Sequence, residues 1–234
     1  RDKNAKTKQD KEQLYGFFMD AYNCLGDFAK VLEYSQKAAE SSMKSLGGDI
    51  HIYECMISAM THLDKSSTEV LAVIEKARKK YPKEVFFPLQ LGYHYYIRHD
   101  FLQAETYLLE ALKLRQALEA AIKDGRAIVD NSLNILPILY GSLADIYIHK
   151  GQKQHALEFA LQGISYYKYN KLLAQGLYRS LQGRPPVEVI QIFDCLYDRK
   201  ADGGFLREAI GWQATKEFAT YYYAEDAANM AKLY

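Results

Sequence analysis

The stretch Tyr15–Gly26, YGFFMDAYNCLG, returns later in the same chain as Tyr140–Gly151, YGSLADIYIHKG. The two copies carry Tyr, Gly, Asp, Tyr and Gly in the same places. The match extends outward through Leu14 with Leu139, Leu32 with Leu157, and Glu33 with Glu158. Internal repetition constrains a fold strongly, because each copy builds one supersecondary unit whose apolar face only a neighbouring unit can cover.

Hydrophobic spacing says what kind of unit this is. Leu102, Tyr107, Leu108, Ala111, Leu112 and Leu114 recur at three and four, as do Val70, Val73, Ile74 and Ala77, and alternating strand patterns are missing. Turn signals interrupt at short intervals: Gly26-Asp27, Asp64-Lys65-Ser66-Ser67, Pro82, His99-Asp100, Gly151-Gln152 and Gly183-Arg184-Pro185-Pro186. The chain therefore reads as successive helices of roughly 12 to 18 residues joined by tight turns, an all-α helix-hairpin pattern.

Aligning the hairpins gives four copies. The best is PLQLGYHYYIRHDFLQAETYLLEAL, with Leu91, Gly92 and Tyr95 on the first helix, and Ala104, Leu108 and Ala111 on the second. Another has Tyr140, Leu143, Ala144, Tyr147, Ala156 and Ala160, and its echo has Tyr15, Phe18, Met19, Tyr22, Val31 and Ala38. A fourth keeps Ile57, Ser58, Val70, Ile74, Ala77 and Pro82, with Thr61 where Tyr is expected. These residues resemble the tetratricopeptide repeat (TPR) family, whose unit of about 34 residues follows W-x2-L-G-x2-Y, then A-x3-F, then P. The resemblance implies a right-handed superhelix of antiparallel helix hairpins, a TPR-like α-solenoid over 1–234. Repeats fall near 12–45, 51–84, 85–118 and 137–170, so their spacing is uneven. The added residues RQALEAAIKDGRAIVDNSLN should lengthen the helix after Leu114 and add a loop near Asp124-Gly125.

Beyond Asn170 the copies degrade. Residues 171–199 read as a degenerate hairpin with a Pro-Pro helix start, and 204–234 as a partial repeat with Phe218, Ala219, Tyr222 and Ala231 in place. Such a repeat would stop inside its second helix, so either a helix cap ends the domain there or, as the favoured reading, the repeats belong to a longer array. The start at Arg1 rather than Met likewise points to an excised or trimmed chain.

Composition narrows the function classes. A formal net charge of +1 argues against a dedicated nucleic-acid binder, and there is no apolar run long enough for a membrane span. The basic start, Arg1, Lys3, Lys6, Lys8 and Lys11, reads as a solvated helix end or linker. Cys24, Cys55 and Cys195 are scattered and odd in number, which suggests neither a disulfide framework nor a zinc site and fits a reducing, cytoplasmic setting. No phosphate loop, dinucleotide fingerprint, zincin or nucleophile-elbow motif occurs, so neither catalysis nor a cofactor is expected. His94 and His99, five apart, and His149 and His155, across a turn, read as surface or interhelical residues rather than metal ligands.

The expected activity is that of a non-catalytic scaffold binding a protein or peptide in a concave groove. In the family, the residues two before and one after the repeat Tyr line that groove. By the resemblance these are Asp20 and Asn23, Ala59 and His62, Tyr93 and Tyr96, and Asp145 and Ile148, with Gly16 and Gly141 leaving room for a ligand backbone. The cationic carboxylate clamp of chaperone-binding members is replaced here by Gly16, Asp20, Phe86 and Gln90, so a neutral or basic peptide is the expected partner. Two other readings stand beside this one. GLYRSLQGRPPVEVIQIFDCLYD weakly resembles the helical tails of some TPR-bearing bacterial glycosyltransferases, which implies an accessory role in a larger enzyme. An uncovered terminal repeat would also allow a homodimer.

Overall fold

Each apolar run of three-and-four spacing closes into a helix. The computed structural model describes residues 8–40, 48–125 and 135–230, and among these there are twelve helices and no strand. They are α1 (Lys8–Leu25), α2 (Phe28–Glu40), α3 (Gly48–His62), α4 (Ser67–Lys80), α5 (Phe86–Tyr96), α6 (Phe101–Lys123), α7 (Leu136–His149), α8 (Lys153–Tyr166), α9 (Lys171–Ser180), α10 (Pro186–Asp194), α11 (Arg199–Ile210) and α12 (Lys216–Met230). None is long and apolar enough to cross a membrane. Arg1, Lys3 and Lys6 of the basic start, Ala231, and the part of the expected insertion loop at 126–134 lie outside the described residues.

Four of the turns are built alike. The amides of Asp27, Lys65, Asp100 and Gln152 donate to the carbonyls of Tyr22, Met60, Tyr95 and Tyr147, at 3.1, 3.0, 3.1 and 2.9 Å. One residue earlier in each, Gly26, Asp64, His99 and Gly151 take φ of 72°, 49°, 61° and 71°. A bond spanning six residues over a left-handed residue is the Schellman helix stop, which satisfies carbonyls that the ending helix would leave bare. In three turns the residue that donates this bond also starts the next helix, as the carbonyls of Asp27, Asp100 and Gln152 accept from the amides of Val31, Ala104 and Ala156. The α3–α4 turn differs. Its next helix starts at Ser66, whose carbonyl accepts from Val70, so Lys65 is one extra residue. Ser66 and Glu69 close a reciprocal capping box there.

The chain divides into two compact units, residues 1–87 and 88–234. In the first, α2 packs against α1 and α3, and α4 packs on α3, over a core of Met19, Val31, Ile52, Met56, Ile57, Ile74 and Phe87. Tyr22 and Tyr34 stack across the first hairpin with centroids 5.6 Å apart.

The second unit repeats that device. Tyr95 stacks on Tyr107 at 5.7 Å, and Tyr147 meets Phe159 at 5.3 Å, each pair twelve residues apart as in Tyr22–Tyr34. Small residues set the helix spacing. Leu108 fills the space a side chain on Gly92 would need, with its Cγ 2.6 Å from the Cβ position. Ala144, Ala156 and Ala160 are wholly buried where α7 and α8 meet. As expected, α6 runs past Leu114, to Lys123, and stops at Asp124-Gly125.

After α9, the prolines start α10 with Pro186 in its first turn. The partial repeat expected over 204–234 would need a turn between Tyr222 and its second helix, but α12 runs unbroken from Lys216 to Met230. Ala224-Glu225-Asp226-Ala227-Ala228 offers good helix formers and no glycine to stop them. Phe193, Phe218, Tyr178 and Tyr222 close this end, with Phe193–Phe218 centroids 4.9 Å apart.

Candidate functional site

Counting from the four Schellman acceptors, Tyr22, Met60, Tyr95 and Tyr147, gives each first helix a common register. Two residues before and one after the acceptor lie Asp20 and Asn23, Ser58 and Thr61, Tyr93 and Tyr96, and Asp145 and Ile148. The second pair corrects the assignment of Ala59 and His62, which is one residue out. Measured from α4, Thr61 is the repeat Tyr; the extra Lys65 in the turn shifts α3, so Met60 takes that place. Burial bears on Ala59, which is wholly enclosed whereas Ser58 and Thr61 are exposed; His62 is exposed as well, so burial does not separate it from them. His62 instead stacks on Phe28 with centroids 3.9 Å apart.

In the first unit, Asp20 and Asn23 are exposed on α1 and Gly16 is partly buried. Asp20 is engaged with α3: its Oδ1 lies 2.9 Å from His51 Nε2. The same nitrogen is 3.6 Å from Cys55 Sγ, one helical turn along α3. On the other side of the ring, Nδ1 lies 3.6 Å from Glu54 Oε2. Burial pushes the Cys55 thiol up to about 11, with the charges of Asp20 and Glu54 adding to the effect. His51 and Cys55 were not among the sequence candidates. Their spacing of four on one helix was the available signal, but Asp20 joins them only through the packing of α1 beside α3.

In the second unit, Tyr93 and Tyr96 stack with centroids 6.2 Å apart, and Tyr93 is 37% exposed. The Tyr96 hydroxyl donates to Asp145 Oδ2 at 2.9 Å, and the Arg179 guanidinium of α9 donates to Oδ1. Burial, followed by the Asp145 charge, holds the Tyr96 hydroxyl well above the usual phenol range. His149 Nε2 is 3.6 Å from the same carboxylate, and its ring stacks on Phe101 at 4.8 Å. Asp145 therefore ties α5, α7 and α9 together and is largely enclosed, rather than standing free on a binding surface.

Gly141 is likewise occupied from within. A Cβ on it would sit 2.5 Å from Leu172 Cδ2, so α9 fills the space expected to be open for a ligand backbone. Phe86 and Gln90 are half-buried. A separate cleft of about 90 Å³ lies between Tyr178, Leu181, Arg184, Val189, Gln213 and Thr215. This is small beside the roughly 300–1,000 Å³ of ordinary ligand pockets.

The exposed members of the register are thus Asp20, Asn23, Ser58 and Thr61 in the first unit and Tyr93 in the second. No protein-family model matches the chain, and no curated protein matches it.

Proposed function

We propose that this chain is a scaffold of the tetratricopeptide type, a right-handed stack of antiparallel hairpins that binds a protein or peptide on the faces of its first helices and performs no chemistry itself. One observation carries the reading: in three successive hairpins built on the same turn, the register position two before the Schellman acceptor is solvent-exposed, as Asp20, Ser58 and Tyr93. Core packing explains the repeated small and aromatic residues but does not require these positions to face solvent.

Tyr93, stacked on a Tyr96 that is itself anchored through Asp145, is a preorganised aromatic contact, and Asp20 supplies negative charge. Each of these contacts, taken by itself, suits a neutral or basic peptide. The roles of Gly141 and Asp145 are then structural, spacing and tying the helices that present the contacts. Three free cysteines fit a reducing, cytoplasmic setting.

Selection of a random peptide library on the immobilised chain tests this. Enriched peptides of neutral to basic character that bind in a saturable, salt-sensitive way are expected. Failure to enrich any peptide over an unrelated helical protein would refute the reading.

A further inference from the structure

We infer that Asp20, His51 and Cys55 form a binding site for a soft divalent metal ion of the zinc class, held between α1 and α3 of the first unit. One oxygen, one nitrogen and one sulfur converge here, all within 4.8 Å of one another. A tetrahedral zinc ion, with bonds of about 2.3 Å to sulfur and about 2.0–2.1 Å to nitrogen and oxygen, spaces such donors roughly 3.3 to 3.6 Å apart. The observed separations from His51 Nε2, 2.9 Å to Asp20 Oδ1 and 3.6 Å to Cys55 Sγ, bracket that requirement. Asp20 needs only a small outward rotation to admit an ion, and its side chain is exposed and able to make it.

Three features point to a site rather than to a chance meeting of polar groups. His51 Nε2 meets Asp20 Oδ1 and is also the ring nitrogen nearer to Cys55 Sγ, at 3.6 Å against 3.9 Å for Nδ1, so one ion on Nε2 is within reach of both other donors. The opposite nitrogen faces Glu54 at 3.6 Å, the outer carboxylate that in metal centres fixes the ring and raises its basicity. The charges also balance, because a thiolate, a carboxylate and a neutral imidazole together neutralise a dication.

A bound ion stabilises the thiolate form of Cys55 directly. Sulfur and imidazole ligands select zinc, cobalt or copper over calcium and magnesium. Exposure of Asp20 and His51 leaves the fourth position to water, so the expected site is exchangeable rather than closed. The site shares Asp20 with the peptide-binding reading but does not require it, and it is tested without any peptide.

The test is Co2+ titration of the full chain under reducing conditions, followed by displacement with Zn2+ against a chromophoric chelator. Expected are one equivalent bound per chain and a near-ultraviolet thiolate-to-cobalt charge-transfer band. The band should disappear in Cys55→Ser and persist in Cys24→Ser and Cys195→Ser, which change the exposed cysteines. His51→Gln and Asp20→Asn should each weaken binding by at least about tenfold. Absence of the band, or its survival in Cys55→Ser, overturns the proposal. If circular dichroism shows Cys55→Ser unfolded, the exposed Asp20→Asn decides: unchanged affinity overturns the site and weakened affinity supports it.

Discussion

Adjacent glycines of α11 separate two reasons for having glycine at all. A Cβ on Gly203 would lie 2.6 Å from the backbone oxygen of Tyr222, which no rotamer change can relieve, whereas one on Gly204 meets nothing within 4 Å. Gly203→Ala should therefore cost about 1–3 kcal/mol by overpacking. Gly204→Ala should raise stability by up to about 1 kcal/mol through helix propensity alone. Urea denaturation of both variants checks this, and equal effects would contradict the close approach of α11 and α12.

Asp202 gives a pH-dependent counterpart at the same scale. Burial works against its ionised form, but Lys168, the amide of Asp198 and the Tyr169 hydroxyl overcome it, so the carboxyl titrates below 3.8. A lowered folded value means that the stabilisation is complete above that pH and fades as pH falls through the folded pKa. Asp202→Asn should cost about 1–2 kcal/mol at neutral pH, and the gap to wild type should close below about pH 4. Denaturation midpoints across pH 2.5 to 7, values set by the carboxylate range of about 3.9, would show it. A gap that stays constant would mean that the charge on Asp202 contributes nothing.

At the scale of elements, the repeated turn is the feature the sequence half revealed. Gly26 and Gly151 sit at positive φ and announced two of the four stops directly. Asp64 and His99 hold the same conformation without being glycine, so Asp64-Lys65-Ser66-Ser67 and His99-Asp100 marked the other two turns but not their left-handed residues. Asp64→Gly should accordingly stabilise by about 0.5 kcal/mol, while Gly151→Ala should destabilise by about 1 kcal/mol, both read from thermal unfolding. The added residue Lys65 explains the slip in α3. Composition marks DKSS as a turn, but only the hydrogen bonds reveal that it is one residue longer than Gly-Asp or Gly-Gln.

Across the molecule, helix class and most boundaries were legible because periodicity and turn chemistry are local. Three- and four-residue spacing, Pro-Pro before α10 and the long α6 all follow from neighbouring residues. What was not legible depended on contacts between helices. Asp145 reads as a ligand-facing acid until Tyr96 and Arg179 are found upon it, and Gly141 reads as open until Leu172 fills it. Asp20, His51 and Cys55 come from two helices, and no window of sequence contains all three with a recognisable spacing. The unbroken α12 was missed for a different reason, since a repeat pattern was extended where local propensity favours continuing the helix.

The most direct test of the scaffold account is calorimetric titration of one selected peptide into wild type, Asn23→Lys, Tyr93→Ala and the α4 surface variant Lys76→Ala. Asn23 and Tyr93 lie at exposed register positions, and neither belongs to the proposed metal site. The account predicts at least about tenfold weaker binding for Asn23→Lys and Tyr93→Ala, the loss expected when a contact worth about 1.4 kcal/mol is removed, and an unchanged affinity for Lys76→Ala. Equal affinity across all four proteins would contradict binding on the first-helix faces.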